Sequence, residues 1–155
     1  MLRTLMIAAA AALTLSAAVF ADQGGTAEEA RAMLDKAVAA VKADKTKALD
    51  MFNKGEGGFL DRDLYVFCNK TTDGTIVALG NPNAKRLLGT DVRTLKDSNG
   101  KAYGQSIFAA GQKPEGQITE ITGYLFPRPG DPKPVPKNSF VTNVGDVYCG
   151  VGYYK

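Results

Sequence analysis

KNSFVTNVGDVYCGVGYY, residues 137–154, is two β-rich runs joined by Gly145-Asp146. Read as a two-residue hairpin turn, that join sets Val144 opposite Val147, Thr142 opposite Cys149 and Phe140 opposite Val151 on one side of the ladder. On the other side Asn143 meets Tyr148, Val141 meets Gly150, Ser139 meets Gly152 and Lys137 meets Tyr154. The first set is apolar and is expected to pack against the long N-terminal helix. The second holds Gly150 and Gly152, and glycines inside a strand cost stability unless something must come close. They mark either a bend or bulge, or a hollow in which a small ligand lies.

Upstream, Leu64-Tyr65-Val66-Phe67-Cys68 reads as a strand, and Asp73-Gly74 turns into a further one at 75–79. Alternation puts Leu64, Val66 and Cys68 with the apolar set, and Tyr65 and Phe67 with the glycines. A strand over 117–126 sets Ile121, Gly123 and Leu125 on one side and Thr122, Tyr124 and Phe126 on the other. We assign Tyr124 and Phe126 to the glycine face, because their strand runs into the proline-rich join that leads to Lys137. Five of the chain's seven prolines lie between Pro127 and Pro136, interleaved with Arg128 and Lys133.

Only fourteen residues follow Val141 in this sequence, so the join is expected to be a loop within one domain rather than an interdomain linker. Prolines restrict an unbound loop, which reduces the entropy lost when a ligand orders it. Arg128 and Lys137 are therefore candidates for charge-assisted hydrogen bonds to an anion, whereas Lys133, between Pro132 and Pro134, is read as solvated. Tyr124 and Tyr65 would add hydroxyl donors, and Phe67 and Phe126 would bound the apolar end.

The N-terminal half supplies helices. Thr26 and Glu29 have capping-box spacing, and Ala30, Met33, Leu34, Ala37, Val38 and Val41 form one stripe of helical period. A second helix is expected over 46–53, ended by the glycine cluster at 55–58, with shorter helices at 84–88 and 102–110. The expected fold class is α+β: five antiparallel strands, a long N-terminal helix on one face, and short helices and loops over the other.

Residues 1–21 carry one cation, Arg3, an apolar run and Val19-Phe20-Ala21, the pattern of a cleaved signal peptide. A periplasmic or secreted single domain over 22–155, without a membrane span, is expected. The 155-residue chain has 19 basic and 16 acidic residues, interspersed, which argues against a nucleic-acid surface. It has no histidine, which removes imidazole nucleophile activation and the commonest metal ligand. No enzyme, cofactor or metal site is expected, and Asp61, Asp63, Asp97 and Asn99 read as turn residues. Cys68 and Cys149, the two cysteines, are either a disulfide, as export favours, or two buried thiols.

Residues 63–68, Asp73-Gly74-Thr75, Leu88-Gly89-Thr90-Asp91-Val92, the turn at 97–101, Tyr124 to Pro129, Pro136 to Val141 and Gly150 to Tyr154 together resemble the single Cache domain. The resemblance runs from about Thr26 to the C-terminus. It implies a PAS-like five-stranded sheet, the long helix on its back, and a front pocket for a small metabolite, often a short carboxylate. Such domains usually sit between two membrane helices of a chemoreceptor or sensor kinase, whereas nothing follows Lys155 in this sequence. A stand-alone module is therefore expected. It either senses or carries an organic acid, or docks on a membrane receptor or sensor kinase with a vestigial pocket. A homodimer through the long helix is compatible with both.

Overall fold

The computed structural model describes residues 24–155; the signal-peptide reading of 1–21 lies outside them. Helix α1 (Ala27–Ala43) begins at the expected capping box, in which the Thr26 side chain accepts from the Glu29 amide and Glu29 accepts from the Thr26 amide. Its buried face is Ala30, Met33, Leu34, Ala37 and Val41. Helix α2 (Lys45–Lys54) is capped by Asp44 and stops at Gly55, whose φ of 69° is the left-handed conformation that glycine reaches without a Cβ clash.

Six antiparallel strands follow rather than five. β1 (Leu60–Asp61) has two residues, too few for alternation to reveal it in the sequence. β2 (Leu64–Lys70), β3 (Ile76–Leu79), β4 (Ile118–Pro127), β5 (Pro134–Asn143) and β6 (Val147–Tyr154) build the order β1-β2-β6-β5-β4, with β3 also paired to β2. Short 3-10 segments at Pro82–Leu87 and Val92–Thr94 and helix α3 (Tyr103–Gly111) connect β3 to β4.

The β5–β6 register is the one the Gly145-Asp146 turn dictates: Lys137 faces Tyr154, Ser139 faces Gly152, Val141 faces Gly150 and Thr142 faces Cys149. The sheet therefore has two chemically distinct faces. On the back, Leu64, Val66, Cys68, Val147, Cys149 and Val151 pack with α1, Phe52 and Phe59. On the front, Tyr65, Phe67, Val141 and Tyr148 pack beneath Val92, Tyr103, Ile107 and Ala110.

β4 departs from simple alternation. Ile121 pairs with Ser139 and Tyr124 with Lys137, so Thr122 and Gly123 together oppose Asn138 in a β-bulge. Gly123 has φ 64°, and its amide donates to Asn138 Oδ1 at 2.9 Å. The bulge turns both Ile121 and Tyr124 inward to the front, correcting the expectation that they lie on opposite sides.

The proline-rich join is also more strand-like than expected. Leu125 pairs with Pro136, Phe126 with Val135 and Pro127 with Pro134, leaving 128–133 as the loop. Proline is tolerated here because β4 is an edge strand and this end of β5 lies beyond the end of β6. The Pro136 carbonyl still accepts from the Lys155 amide at 3.0 Å.

Cys68 and Cys149 face each other across the β2–β6 ladder and are joined as a disulfide with a sequence separation of 81. A loop of that size gives about 4 kcal/mol in the chain-entropy model. Replacing both cysteines by alanine is expected to lower unfolding stability by a comparable amount in urea titrations. An unchanged midpoint would show that the bridge adds nothing.

Candidate ligand-binding site

The front of the sheet carries a cavity of about 40 Å³. Its floor is Tyr65, Phe67 and Asn69 from β2, Tyr124 and Phe126 from β4, and Lys137 from β5. Ile76 and Leu79 from β3 also line it, together with Leu87, Val92, Leu95, Tyr103 and Ile107 from the turns and α3. Five of the expected ligand-binding residues, Lys137, Tyr124, Tyr65, Phe126 and Phe67, thus meet around one space.

Lys137 is 1% exposed. Its ammonium donates to Tyr65 Oη at 2.6 Å and lies 4.1 Å from the Tyr65 ring centroid and 5.0 Å from those of Phe126 and Tyr154. The rings present their negative faces to the cation. None of the ion pairs among the described residues includes Lys137. Tyr124 Oη and Ser139 Oγ are hydrogen-bonded at 2.6 Å, and the Tyr124 ring stacks on Tyr103 with centroids 4.6 Å apart. Burial pushes the Tyr65 and Tyr124 hydroxyls well above the usual phenol range, so both keep their protons.

Two expectations change. Gly150 and Gly152 do not hollow the sheet for a ligand; they make room for the protein's own side chains. A Cβ on Gly152 would come 2.0 Å from Lys137 Cε, and one on Gly150 would come 2.3 Å from Phe67 Cζ. The glycines seat the lysine stem and the phenylalanine ring that border the cavity. Arg128 does not line the cavity either. It lies in the loop beyond the paired strands, where alternation no longer assigns a face. Its Nε donates to Asp63 Oδ2 at 3.1 Å, and its guanidinium carbon is 4.9 Å from the Tyr154 ring centroid. Arg128 and Asp63 border a separate cleft with Gly24, Arg62 and Pro129. Asp63 also accepts from the Gly25 amide at 2.6 Å, which ties the start of the described chain to the β1–β2 turn.

The carboxylates read as turn residues make local contacts. Asp97 accepts from the amides of Asn99, Lys101 and Leu125, and Asp61 pairs with Arg62.

The chain matches the family model "Single Cache domain 2" over residues 8–155. It belongs to that family. Among solved structures it is similar to a methyl-accepting chemotaxis protein from Vibrio parahaemolyticus RIMD 2210633, at 22% identity, with 82% of this chain and 86% of that one covered and a TM-score of 0.64. It is similar to a Cache chemosensory domain described in terms of carboxylic acid recognition, at 20% identity, covering 82% and 91% with a TM-score of 0.64. A periplasmic sensor domain of a chemotaxis protein matches at 25% identity, covering 82% and 88% with a TM-score of 0.57. A comparison with curated proteins found no match.

In this Cache domain, sequence reasoning passed over several of the cavity residues, and for different reasons. Asn69 shares the parity of Tyr65 and Phe67 along β2, so alternation alone points to it. Tyr103, Val92, Leu95 and Ile107 come from short turns and α3, whose approach to the sheet leaves no periodic trace. No helix among the described residues is long and apolar enough to cross a membrane.

Burial lowers the Lys137 ammonium to a pKa of about 7, partly offset by the field of Asp63. The folded state thus releases this proton near pH 7, while the unfolded chain holds it to about 10.4. Between those limits the unfolded state binds more protons, so stability rises with pH, at up to about 1.4 kcal/mol per unit. Denaturant titrations at several pH values should show wild type gaining on Lys137→Met from pH 7 to pH 10. Parallel pH profiles would place the ammonium in water.

Proposed function

We propose that this Cache domain is an exported receptor module that binds a short monocarboxylate, with Lys137 as the anchoring cation. The observation that carries this reading is the buried ammonium without a carboxylate partner. A buried charge is strongly destabilising unless paired, and a lysine has three protons to donate. Asp63 acts on Lys137 only through its field, its oxygens being taken by Arg128 and the Gly25 amide. A carboxylate from outside completes the pair, and Tyr65 and Tyr124 stand beside it as neutral hydroxyls.

The apolar walls and a volume of about 40 Å³ favour an acid of few heavy atoms. The carboxylic-acid theme of one structural neighbour supports the same class. A cleaved leader over 1–21 delivers the domain outside the cytoplasm. There the acid-bound form engages a membrane-bound chemoreceptor or sensor kinase, a partner suggested by the chemotaxis proteins it resembles in fold. The domain acts as a receptor, without turnover of its acid.

Calorimetry of wild type and Lys137→Met against short alkanoates tests the anchor. The variant is expected to bind about a hundredfold more weakly or worse, in line with the cost of truncating one member of a buried charge pair. Its melting temperature should show that it still folds. Unchanged affinity would remove Lys137 from the site, and no wild-type thermal shift with any short acid at millimolar concentration would overturn the acid reading. Wild-type affinity should also fall about tenfold per pH unit above 7, as the free site loses the proton that makes it cationic. A flat pH profile would contradict this.

A further inference from the structure

The cavity wall carries one charged residue, Lys137, and no carboxylate. Its amine is therefore also the one nitrogen nucleophile that borders this space. At 1% exposure it is shielded from water, hydrogen-bonded at 2.6 Å to the Tyr65 hydroxyl and set against the rings of Tyr65, Phe126 and Tyr154. Desolvation in an apolar pocket is what turns an inert lysine ammonium into a neutral, reactive amine. Burial leaves this amine partly unprotonated at neutral pH, whereas an ordinary lysine is neutral there in less than about one molecule in a thousand. Carboxylate binding uses only the protonated form, so the neutral form has no role in the acid-receptor reading.

We propose that the neutral amine of Lys137 captures a small aldehyde as a reversible imine, which gives the cavity a second, uncharged class of ligand. The amine lone pair attacks the carbonyl carbon, and the π pair passes to the carbonyl oxygen. Both amine protons end on that oxygen, relayed by the Tyr65 hydroxyl, which gives up its own proton as it takes one from nitrogen. One water leaves, the C=N bond forms, and no oxidant or reductant is needed. Tyr65 suits a relay because burial keeps its hydroxyl protonated. A volume of about 40 Å³ and apolar walls fit an aldehyde of few heavy atoms, and an uncharged ligand enters without a counter-ion.

Lys85 supplies an internal control. Burial lowers the basicity of its ammonium too, but its Nζ donates to the carbonyls of Asn53 and Leu79 and is not on the cavity wall. The test treats wild type at pH 7 with limiting propanal and cyanoborohydride, which fixes each imine as a secondary amine, and maps the labelled peptides by mass spectrometry. Lys137 is expected to label faster than any other lysine, Lys85 included, by about tenfold or more. Lys137→Met should lose this fast phase, and Tyr65→Phe should slow it, with melting temperatures to establish folding. Label spread over the exposed lysines with Lys137 unmodified would overturn the assignment, and that map is read on wild type alone. Equal labelling of Lys85 and Lys137 would overturn the role of the cavity, and an unchanged rate in Tyr65→Phe would remove Tyr65 from the relay. Imine capture does not depend on an acid ligand, which calorimetry with alkanoates reads separately.

Discussion

Placing a lysine ammonium among aromatic rings, with one phenol as its hydrogen-bond partner, removes a strongly hydrated charge from water. The penalty is several kcal/mol for an ion of this kind, and the faces of Tyr65, Phe126 and Tyr154 recover only part of it. The fold accepts this at Lys137 through a specific set of supports. Gly152 lets the lysine stem lie flat on the sheet, Gly150 does the same for Phe67, and the bulge at Thr122-Gly123 brings Tyr124 beside them. Each support loosens or complicates a strand, so stability alone does not account for them. They make sense together when an anion completes the site.

The two faces of the sheet divide the work. The back is apolar, joined to α1 and pinned by the Cys68–Cys149 bridge across its central pair of strands. That rigid layer carries β2 and β6, which lie under the cavity, so the positions of Tyr65 and Gly152 do not depend on a ligand. The front is covered by short turns and α3. The end of the proline hairpin is tied down separately. Asn81 Nδ2 and Tyr154 Oη both donate to the Pro127 carbonyl, while Arg128 reaches Asp63. Asp63 also holds the start of α1 through Gly25, so the hairpin next to the site and the N-terminal helix share one buried carboxylate.

Much of this was legible because a two-residue turn and strict alternation leave little freedom. Once Gly145-Asp146 was read as a turn, the faces of β5 and β6 followed down to Lys137 opposite Tyr154. The capping box at Thr26 located the start of α1 for a similar local reason. Alternation fails where a residue is inserted, so the bulge in β4 and the shared face of Ile121 and Tyr124 were hidden. It also says nothing about occupancy: the space above Gly150 and Gly152 was visible, but that Phe67 and Lys137 fill it depends on side-chain reach. Arg128 lies past the last paired residue, where alternation assigns no face. Asn69 has the parity of Tyr65 and Phe67 and is legible by the same alternation.

On the proposed reading, an acid ligand supplies the missing partner of a buried cation. The most direct measurement is the titration of the Lys137 side chain by NMR, through the Cε and Nζ resonances, with and without a saturating short acid. The expected free value is near 7, and it should rise by at least one pH unit when the acid is bound, because the carboxylate stabilises the charged form. A Lys137 titration that is the same in both states, or one already near the ordinary lysine value in the free protein, would contradict it.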